Sequence, residues 1–424
     1  MNHSFLRPSH CFLPLFLVLV CGVRVPPGAA ADWPRFRGPD GSATSADADV
    51  PAEWGDKKNL KWARELPGQG FSSPIVVGDC VFVTCFSGGD GDLTKLKRYL
   101  VGVDRHTGKT RWSKMIPAVL PEFRSGGRFA HHGYASHTPV SDGERVYVLF
   151  GTTGLLAFDL KGNKLWQQSV GTETKARFGS ASSPILYKDL VIVTAGAESA
   201  SIRAFNKKTG KEVWKAPAAS LAECYGTPLI VKNKEGEDEL VISVPYEVWG
   251  LNPATGRLKW YAETAVDGNA CTSLVAANGI VYAVGGRSGG RTAVKVGGKG
   301  DVTKTNVLWS KRGGSYVPSP VLHKGYLYWV DQRGVATCVD ARTGAEVARE
   351  RLRGAFYASL VLVKDRLYAV SRFDGTYVLE ANPKLTEVAH NRLADDSDFS
   401  GSPAVSGGQL FLRSDKGLYG IAAK

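Results

Sequence analysis

The segment that decides the fold is VGVDRHTGKTRW, residues 101–112, in which a tryptophan follows a glycine by four positions. Asp104 opens a tight turn and Gly108 takes the position that needs a positive φ, so the segment predicts a β-hairpin. The pattern returns in LAFDLKGNKLW, RAFNKKTGKEVW and GLNPATGRLKW, which end at Trp166, Trp214 and Trp260. A pattern that recurs along the chain indicates a repeat architecture.

A second segment precedes each hairpin and consists of a small residue, a proline, an apolar run, a polar turn and an alternating apolar strand. It reads SPIVVGDCVFV from Ser73 and has eight copies. The aligned proline positions are Pro74, Pro139, Pro184, Pro228, Leu274, Pro320, Leu360 and Pro403. The first spacing is 65 residues and the others lie between 40 and 46. The two segments together hold four short strands, which is the content of one propeller blade.

The two ends of the chain supply complementary parts of one blade. The eighth copy runs to Lys424 and lacks a tryptophan strand, whereas an isolated strand of this kind, Asn59–Trp62, stands near the other end. The sequence therefore predicts an all-β, eight-bladed β-propeller with four antiparallel strands per blade and an N-terminal strand that closes the last blade. An open β-solenoid is the alternative, but it would not need the displaced strand. The predicted structural docking residues are Trp62, Trp112, Trp166, Trp214, Trp260 and Trp309.

Composition excludes several classes of protein. The chain has 49 glycines without a G-x-y period, which rules out collagen, and its 22% charged residues are too few for a disordered chain. The formal net charge is +13, but lysine and arginine are scattered along the chain. We therefore expect no nucleic-acid binding, and attraction to an acidic polysaccharide or an anionic surface instead.

The first 31 residues have the pattern of a secretory signal peptide. An apolar run at residues 11–23 is too short to span a membrane, and Ala29-Ala30-Ala31 forms a cleavage signal. The predicted organisation is a signal peptide at 1–31, an N-terminal arm at 32–58 and the propeller at 59–424. We expect an exported protein, periplasmic or extracellular, that is cleaved near Ala31 and has no transmembrane segment.

Five cysteines remain after the predicted cleavage: Cys80, Cys85, Cys224, Cys271 and Cys338. Cys224 and Cys271 stand at similar places in neighbouring repeats, so they form the one plausible disulfide pair. The alternative is five buried or half-buried thiols.

The D-x-x-T-G-K-x-x-W segment, best seen at Asp104–Trp112 and Asn206–Trp214, resembles the tryptophan-docking repeat of quinoprotein alcohol dehydrogenases. It also resembles their non-catalytic relatives, among them BamB-like proteins and PQQ-binding-like propellers. The resemblance covers residues 59–424, and DWPRFRGP at 32–39 is similar to the opening of the last group. It implies the fold, whereas function depends on the site.

The enzymes of this family carry an adjacent Cys-Cys disulfide against the quinone and a Ca²⁺ site, and some have a haem motif. This sequence has no adjacent cysteines and no C-x-x-C-H. We therefore assign no catalytic residue, no metal site and no cofactor, with PQQ kept as an alternative. If the protein is an enzyme, the resemblance implies a quinoprotein oxidoreductase.

Aromatic residues stand three to six positions before the proline position in seven of the eight repeats. They are predicted either to plug their own blades or to line a funnel for a planar or sugar-like ligand at the channel mouth. The long insertion after Trp112 adds three histidines to this region. The funnel candidates are Phe71, Arg128, His131, His132, Tyr134, His137, Arg177, Phe178, Tyr225, Asn269, Tyr316, Arg353, Tyr357, Arg372, Asp374, Asp398 and Phe399.

These observations predict an exported, non-catalytic propeller that binds a protein, a glycan or a small ligand at the channel mouth. The alternatives are a reduced PQQ-dependent oxidoreductase and a BamB-like scaffold for envelope assembly. A protein or polysaccharide of the cell envelope is the expected partner.

Overall fold

The computed structural model of the chain describes Met1 and residues 32–47, 50–89, 91–124, 134–174 and 178–423. Apart from Met1, the predicted signal peptide lies outside the described residues. Within them, no helix combines the length and the apolar character needed to cross a membrane.

Eight small sheets form the blades, which we number 1 to 8 along the chain. Two strands precede the first blade, β1 (Thr44–Ser45) and β2 (Leu60–Glu65). Blades 1 to 3 contain β3 (Ile75–Val77), β4 (Cys80–Ser87), β5 (Lys97–Asp104) and β6 (Thr110–Pro117); β7 (Val140–Ser141), β8 (Arg145–Leu149), β9 (Leu155–Asp159) and β10 (Lys164–Gln168); and β11 (Ile185–Tyr187), β12 (Leu190–Ala195), β13 (Ser201–Asn206) and β14 (Glu212–Pro217).

The later blades repeat this order with two small additions. Blades 4 and 5 contain β15 (Leu229–Lys232), β16 (Asp238–Val244), β17 (Glu247–Leu251) and β18 (Leu258–Glu263), with β22 (Gly300–Asp301) added at the edge; and β19 (Val275–Ala277), β20 (Ile280–Gly285), β21 (Gly290–Lys295) and β23 (Val307–Arg312). Blades 6 and 7 contain β24 (Val321–His323), β25 (Tyr326–Val330), β26 (Val335–Asp340) and β27 (Glu346–Arg351); and β28 (Val361–Val363), β29 (Arg366–Val370), β30 (Thr376–Glu380) and β31 (Glu387–Asn391), with β1 added at the inner edge.

Blade 8 joins the two ends of the chain. It contains β32 (Ala404–Ser406), β33 (Gln409–Arg413) and β34 (Gly417–Ile421), and β2 completes it by pairing antiparallel with β34, Trp62 opposite Gly420. The predicted closure of the last blade is therefore confirmed. Within the described residues, helix is confined to short turns, namely α1 (Gly196–Ser199), α2 (Thr303–Asn306) and 3₁₀ turns at Leu93–Lys95, Gly151–Thr153 and Ala219–Glu223.

A closed circle of hydrogen bonds links the innermost strands of all eight blades. The residue just before each proline position donates its backbone N–H to the hydroxyl oxygen of the equivalent residue in the next blade, over 2.9–3.1 Å. The eight residues are Ser73, Thr138, Ser183, Thr227, Ser273, Ser319, Ser359 and Ser402. The last bond, from Ser402 to Ser73, closes the ring and confirms the eight-bladed architecture. We call these side chains the hydroxyl ring.

The outer strands of several blades share one contact, in which a tryptophan docks on the next blade. The indole N–H of Trp62 donates to the carbonyl of Arg105 at 2.8 Å, and its ring packs on Gly108, which has a φ of 68°. Trp112, Trp166, Trp214 and Trp309 likewise donate to the carbonyls of Leu160, Lys207, Pro253 and Ala341. Each therefore joins two neighbouring blades.

Trp260 departs from this pattern. Its indole N–H donates to the buried carboxylate of Glu239 in its own blade, at 2.6 Å. The hairpin of blade 5 is degraded in sequence and offers no docking glycine, and the chain instead lays β22 alongside β18. The prediction that Trp260 docks on the next blade is therefore wrong, and its indole makes a contact within its own blade instead.

A matched pair of glycine variants tests the docking contact. A Cβ on Gly256 would lie 2.4 Å from the Trp214 ring, whereas one on Gly236 would meet nothing within 4 Å, and both residues have positive φ, 72° and 81°. We expect Gly236→Ala to cost about 1 kcal/mol of unfolding free energy from backbone strain alone. Gly256→Ala should cost about 3 kcal/mol because the indole must also move. Urea unfolding measures both, and equal costs would contradict docking.

The arm that precedes the ring crosses the channel instead of lying outside it. Trp33 pairs with Val76 of blade 1 through two backbone bonds of 2.9 Å, and the carbonyl of Pro34 accepts from Ser141 of blade 2. Further along, β1 pairs in parallel with β28 of blade 7. Trp33 is almost fully buried. The arm therefore fills the channel beside the inner strands of several blades.

All five cysteines of the predicted mature chain are free thiols in the structure. Cys224 forms a parallel bridge with Ala270, so the side chain of the next residue, Cys271, points to the other side of the strand. Cys224 packs beside Leu221 in the interior, while Cys271 faces the channel mouth. The suggested Cys224–Cys271 pair is therefore absent, and the alternative of five thiols holds.

Candidate functional site

The hydroxyl ring forms the base of a pocket at the channel mouth, and all eight of its side chains line that pocket. Each hydroxyl oxygen already accepts a backbone N–H from the neighbouring blade. Its own O–H hydrogen is therefore free to turn toward a group in the pocket, because a hydroxyl can donate and accept at once. The repeat thus places a circle of polar donors at the base of the cavity.

Aromatic side chains make the wall of this pocket, whose volume is about 200 Å³. Five predicted candidates line it, from the loops that enter blades 1, 3, 4, 6 and 7: Phe71, Phe178, Tyr225, Tyr316 and Tyr357. A sixth aromatic, Phe36, comes from the arm that crosses the channel. We call this cavity the aromatic funnel.

The lining of the aromatic funnel is electrically neutral in the described part of the chain. Burial raises the pKa of the Cys271 thiol to about 12, and burial with the nearby Glu223 carboxylate raises that of Tyr225. The Asn269 side-chain amide donates to the Tyr316 hydroxyl at 2.9 Å and so orients that ring, although Asn269 does not line the pocket. The Cys271 thiol and the Tyr225 hydroxyl therefore stay protonated at neutral pH.

Two of the predicted aromatics are structural plugs. Tyr134 is buried between Phe86 and Phe123, with ring centroids 5.2 and 5.3 Å away. Phe399 is buried against Tyr419 at 5.8 Å. The two alternatives for the aromatic series are thus each realised in part, because some members line the funnel and others fill space inside their blades.

The charged candidates that the structure describes lie outside the lining of the funnel, and two of them, Arg372 and Asp398, pair with each other. Arg372 binds the Asp398 carboxylate and stacks over the Tyr357 ring, 4.4 Å from its centroid, so it supports the wall from behind. Asp374 binds Arg392 and accepts from the Tyr377 hydroxyl at 2.6 Å.

One of the remaining candidates lines another cavity, and the others lie outside the residues that the structure describes. Arg353 lines a separate cavity of about 290 Å³ with Tyr377, His390 and Arg392. Arg128, His131, His132 and Arg177 lie outside the described residues.

His137 points away from the funnel into a buried polar network behind its wall. Its neighbours Ser136 and Thr138 line the pocket, so alternation along the chain turns the imidazole the other way. Its Nε2 lies 2.7 Å from the Ser180 hydroxyl, and burial together with the Arg98 charge lowers its pKa to about 3. The imidazole is therefore neutral.

Two carboxylates complete this network, and sequence analysis missed both. Glu122, from the long insertion, forms an ion pair with Arg98 in which both side chains are only 1% exposed. Glu198, from α1, is equally buried, and neither of its oxygens has a hydrogen-bond partner among the described residues. Burial raises the pKa of Glu198 to about 7, while the nearby Ser180 hydroxyl acts to lower it. A glutamate within the small-residue stretch TAGAESAS was the available signal.

The hydroxyl ring and Phe36 were also missed as site residues. A serine or threonine precedes the proline position in all eight repeats, and this uniformity was visible in the sequence. Nothing in the sequence indicates that Phe36 enters the channel, because that depends on contacts with blades far along the chain.

The part of the funnel that the structure describes does not fit the quinone cofactor of the dehydrogenases. PQQ carries three carboxylates, yet no charged side chain lines the funnel in the part of the chain that the structure describes. Nor do the described residues contain a group of three or more histidine, cysteine or acidic side chains placed to hold a metal ion.

Comparison with known proteins places the chain in a family. The family model described as "Outer membrane protein assembly factor BamB", PQQ_2, matches residues 44–234, 97–350 and 332–424. No curated protein matches the sequence.

Solved structures agree in fold at low sequence identity. BamB from Moraxella catarrhalis has a TM-score of 0.63 at 13% identity, over 86% of this chain and 97% of that one. The quinohemoprotein alcohol dehydrogenase ADHIIG from Pseudomonas putida HK5 has a TM-score of 0.65 at 12% identity, over 92% and 80%. The computationally designed protein Ika8 has a TM-score of 0.60 at 12% identity, over 84% and 98%. The chain therefore belongs to the BamB-type family of PQQ-like β-propellers.

Proposed function

We propose that the protein is an exported, non-catalytic propeller that binds a small sugar-like ring compound in the aromatic funnel. The observation that carries this proposal is the pairing of aromatic walls with the hydroxyl ring in one cavity of about 200 Å³. Aromatic faces pack against the apolar faces of a sugar ring, while a circle of hydroxyls can exchange hydrogen bonds with its polar edge. The neutral lining favours a neutral ligand, because a charge would be desolvated there without a partner.

Tyr225 is the side chain whose loss should weaken binding most. It lines the funnel, is nearly buried and packs edge-on against Phe178, with ring centroids 5.9 Å apart. We expect isothermal titration with a panel of neutral monosaccharides to show saturable binding, and Tyr225→Ala to weaken it about tenfold or more. Tyr246→Ala is the matched control, since Tyr246 is 60% exposed and does not line the funnel.

Three outcomes would contradict this proposal. The first is the absence of saturable binding for every sugar in the panel, and the second is an equal loss of affinity in Tyr225→Ala and Tyr246→Ala. The third is oxidation of an alcohol or sugar by the purified protein after addition of PQQ and Ca²⁺, which would favour a reduced quinoprotein oxidoreductase.

A second candidate function, a scaffold in envelope assembly, is supported by the family match, whose description refers to outer-membrane protein assembly. In that role a protein of the cell envelope would be the partner. Pull-down of a defined envelope protein that survives Tyr225→Ala would favour the scaffold, because it would separate partner binding from the aromatic funnel.

A further inference from the structure

Two arginines of the arm, Arg35 and Arg37, place positive charge inside the channel. Arg37 is 3% exposed and donates from Nε to the Gly41 carbonyl at 3.1 Å and from Nη2 to the carbonyls of Ser42, at 3.3 Å, and Pro320. Arg35 donates from Nη2 to the carbonyl of Pro228 at 3.4 Å. The two guanidinium groups are thus held by backbone carbonyls of blades 4 and 6 and of the arm itself.

Each of these guanidinium groups keeps a buried donor without a partner. Arg37 Nη1 and Arg35 Nε are both buried and make no hydrogen bond within the described residues. Such a donor is destabilising when it is left unsatisfied, and more so on a charged group. Two neighbouring donors in this state indicate that something outside the chain completes them.

Neither arginine forms an ion pair within the described residues. In the described part of the chain no carboxylate lies within ion-pair distance of either side chain, and Asp40, which acts on both, is exposed and accepts from the Ser42 amide. Burial lowers the pKa of Arg35 to about 10 and, with the charge of Arg35, that of Arg37 to about 9. Both groups remain protonated at neutral pH, so their repulsion persists.

We propose that Arg35 and Arg37 bind a small tetrahedral oxyanion, phosphate or sulfate, in the channel below the hydroxyl ring. Such an anion offers oxygens in several directions, which suits donors that reach it from different sides. A carboxylate binds one guanidinium best through two parallel hydrogen bonds, and Arg37 has only Nη1 left, because its Nε and Nη2 already donate to carbonyls. The site is separate from the lining of the aromatic funnel, since neither arginine lines the funnel and both donate to residues that follow the hydroxyl ring, Pro228 in blade 4 and Pro320 in blade 6.

A groove on the opposite face of the propeller lies close to these arginines. This groove of about 440 Å³ between blades 4 and 5 is lined by Asp40, Ser42 and the turn of β19 and β20. Arg35 packs beside this groove, because a Cβ on Gly41 would lie only 3.2 Å from its Nη2 and 2.9 Å from Leu229, which also lines the groove. The Arg35 guanidinium therefore lies close to a groove that is not part of the funnel.

Thermal unfolding of the full-length protein in phosphate or sulfate tests this site. The midpoint of unfolding is expected to rise and saturate below about 10 mM, far below the concentrations at which these salts stabilise proteins by exclusion from the surface. Acetate and chloride at equal ionic strength should give no saturable rise. An equal response to acetate would assign the site to carboxylates and overturn the tetrahedral proposal.

Arg35→Gln is the decisive variant, because Arg35 is only partly buried and its loss should leave the fold intact. We expect it to weaken the apparent affinity for phosphate at least tenfold. Arg64→Gln is its matched control, as Arg64 is also half-buried and donates to a backbone carbonyl, that of Gly108 at 2.6 Å. Arg37→Gln should abolish the response to phosphate. Arg105→Gln is its control, because Nε, Nη1 and Nη2 of Arg105 all donate hydrogen bonds. No response in the wild type, or equal responses in Arg35→Gln and Arg64→Gln, would overturn the proposal.

Discussion

Replacing Glu122 with glutamine is expected to lower the free energy of unfolding by about 3–5 kcal/mol. Glu122 is the counter-ion of Arg98, and the pair is almost completely shielded from solvent. Arg98 also donates to the Thr153 hydroxyl at 2.7 Å and the Tyr134 carbonyl at 3.2 Å, so it cannot turn toward water when its partner is neutral. Urea unfolding followed by tryptophan fluorescence measures the change.

Glu53→Gln serves as the control for this variant. Glu53 pairs with Lys58, and both side chains are 61% exposed, so the variant should show no measurable loss. A double variant, Arg98→Met with Glu122→Leu, should be less destabilised than either single variant, because no charge is then left buried. Equal stabilities of Glu122→Gln and Glu53→Gln would show that the buried pair contributes nothing.

The Glu198→Gln variant should be more stable than the wild type above pH 7, by up to about 3 kcal/mol, and nearly equal to it near pH 4. Glu198 has a pKa of about 7 in the fold against an ordinary value of 4.5. Between these values the folded protein holds a proton that the unfolded chain releases, so stability falls as the pH rises from about 4.5 to about 7. Glutamine mimics the protonated acid and removes this loss.

His137 supplies the counterpart with the opposite sign. Its pKa is lowered to about 3 from 6.5, so the unfolded chain binds the extra proton and stability falls as the pH drops from about 6.5 to about 3. His137→Gln should therefore improve stability in acid and leave it unchanged above pH 7. Thermal midpoints across pH 3–9 separate the two variants, and a constant offset of Glu198→Gln at every pH would contradict the buried titration.

The propeller could be predicted because its information is local and repeated. Hairpins such as Asp104–Trp112 encode a turn and two strands within about ten residues, and eight repeats make the assignment redundant. Even the closing strand was predictable, since a missing element in one repeat matched a surplus element elsewhere. Local propensity and the global fold agree at these positions, as expected of a well-determined fold.

The site was predictable only in part because its contacts join residues far apart in sequence. An aromatic before the proline position can turn inward, like Tyr225, or into its own blade, like Tyr134, and the pattern is the same in both cases. The ion pair of Arg98 with Glu122 depends on how the long insertion packs, which has no repeat to guide it. The same holds for Phe36, whose position depends on where the arm enters the channel.

Blade 8 can fold only when strands from both ends of the propeller sequence are present. Trp62 pairs opposite Gly420 and docks on Gly108, so these two contacts join residues separated by 358 and by 46 positions along the chain. The blade cannot form until β34 is available, and loops of such length close slowly. Until then β2 has no strand to pair with and blade 1 lacks the indole that covers its turn. Ring closure should thus be a late folding event. Once the ring is closed, unfolding must first separate two paired blades, because no blade has an unpaired side.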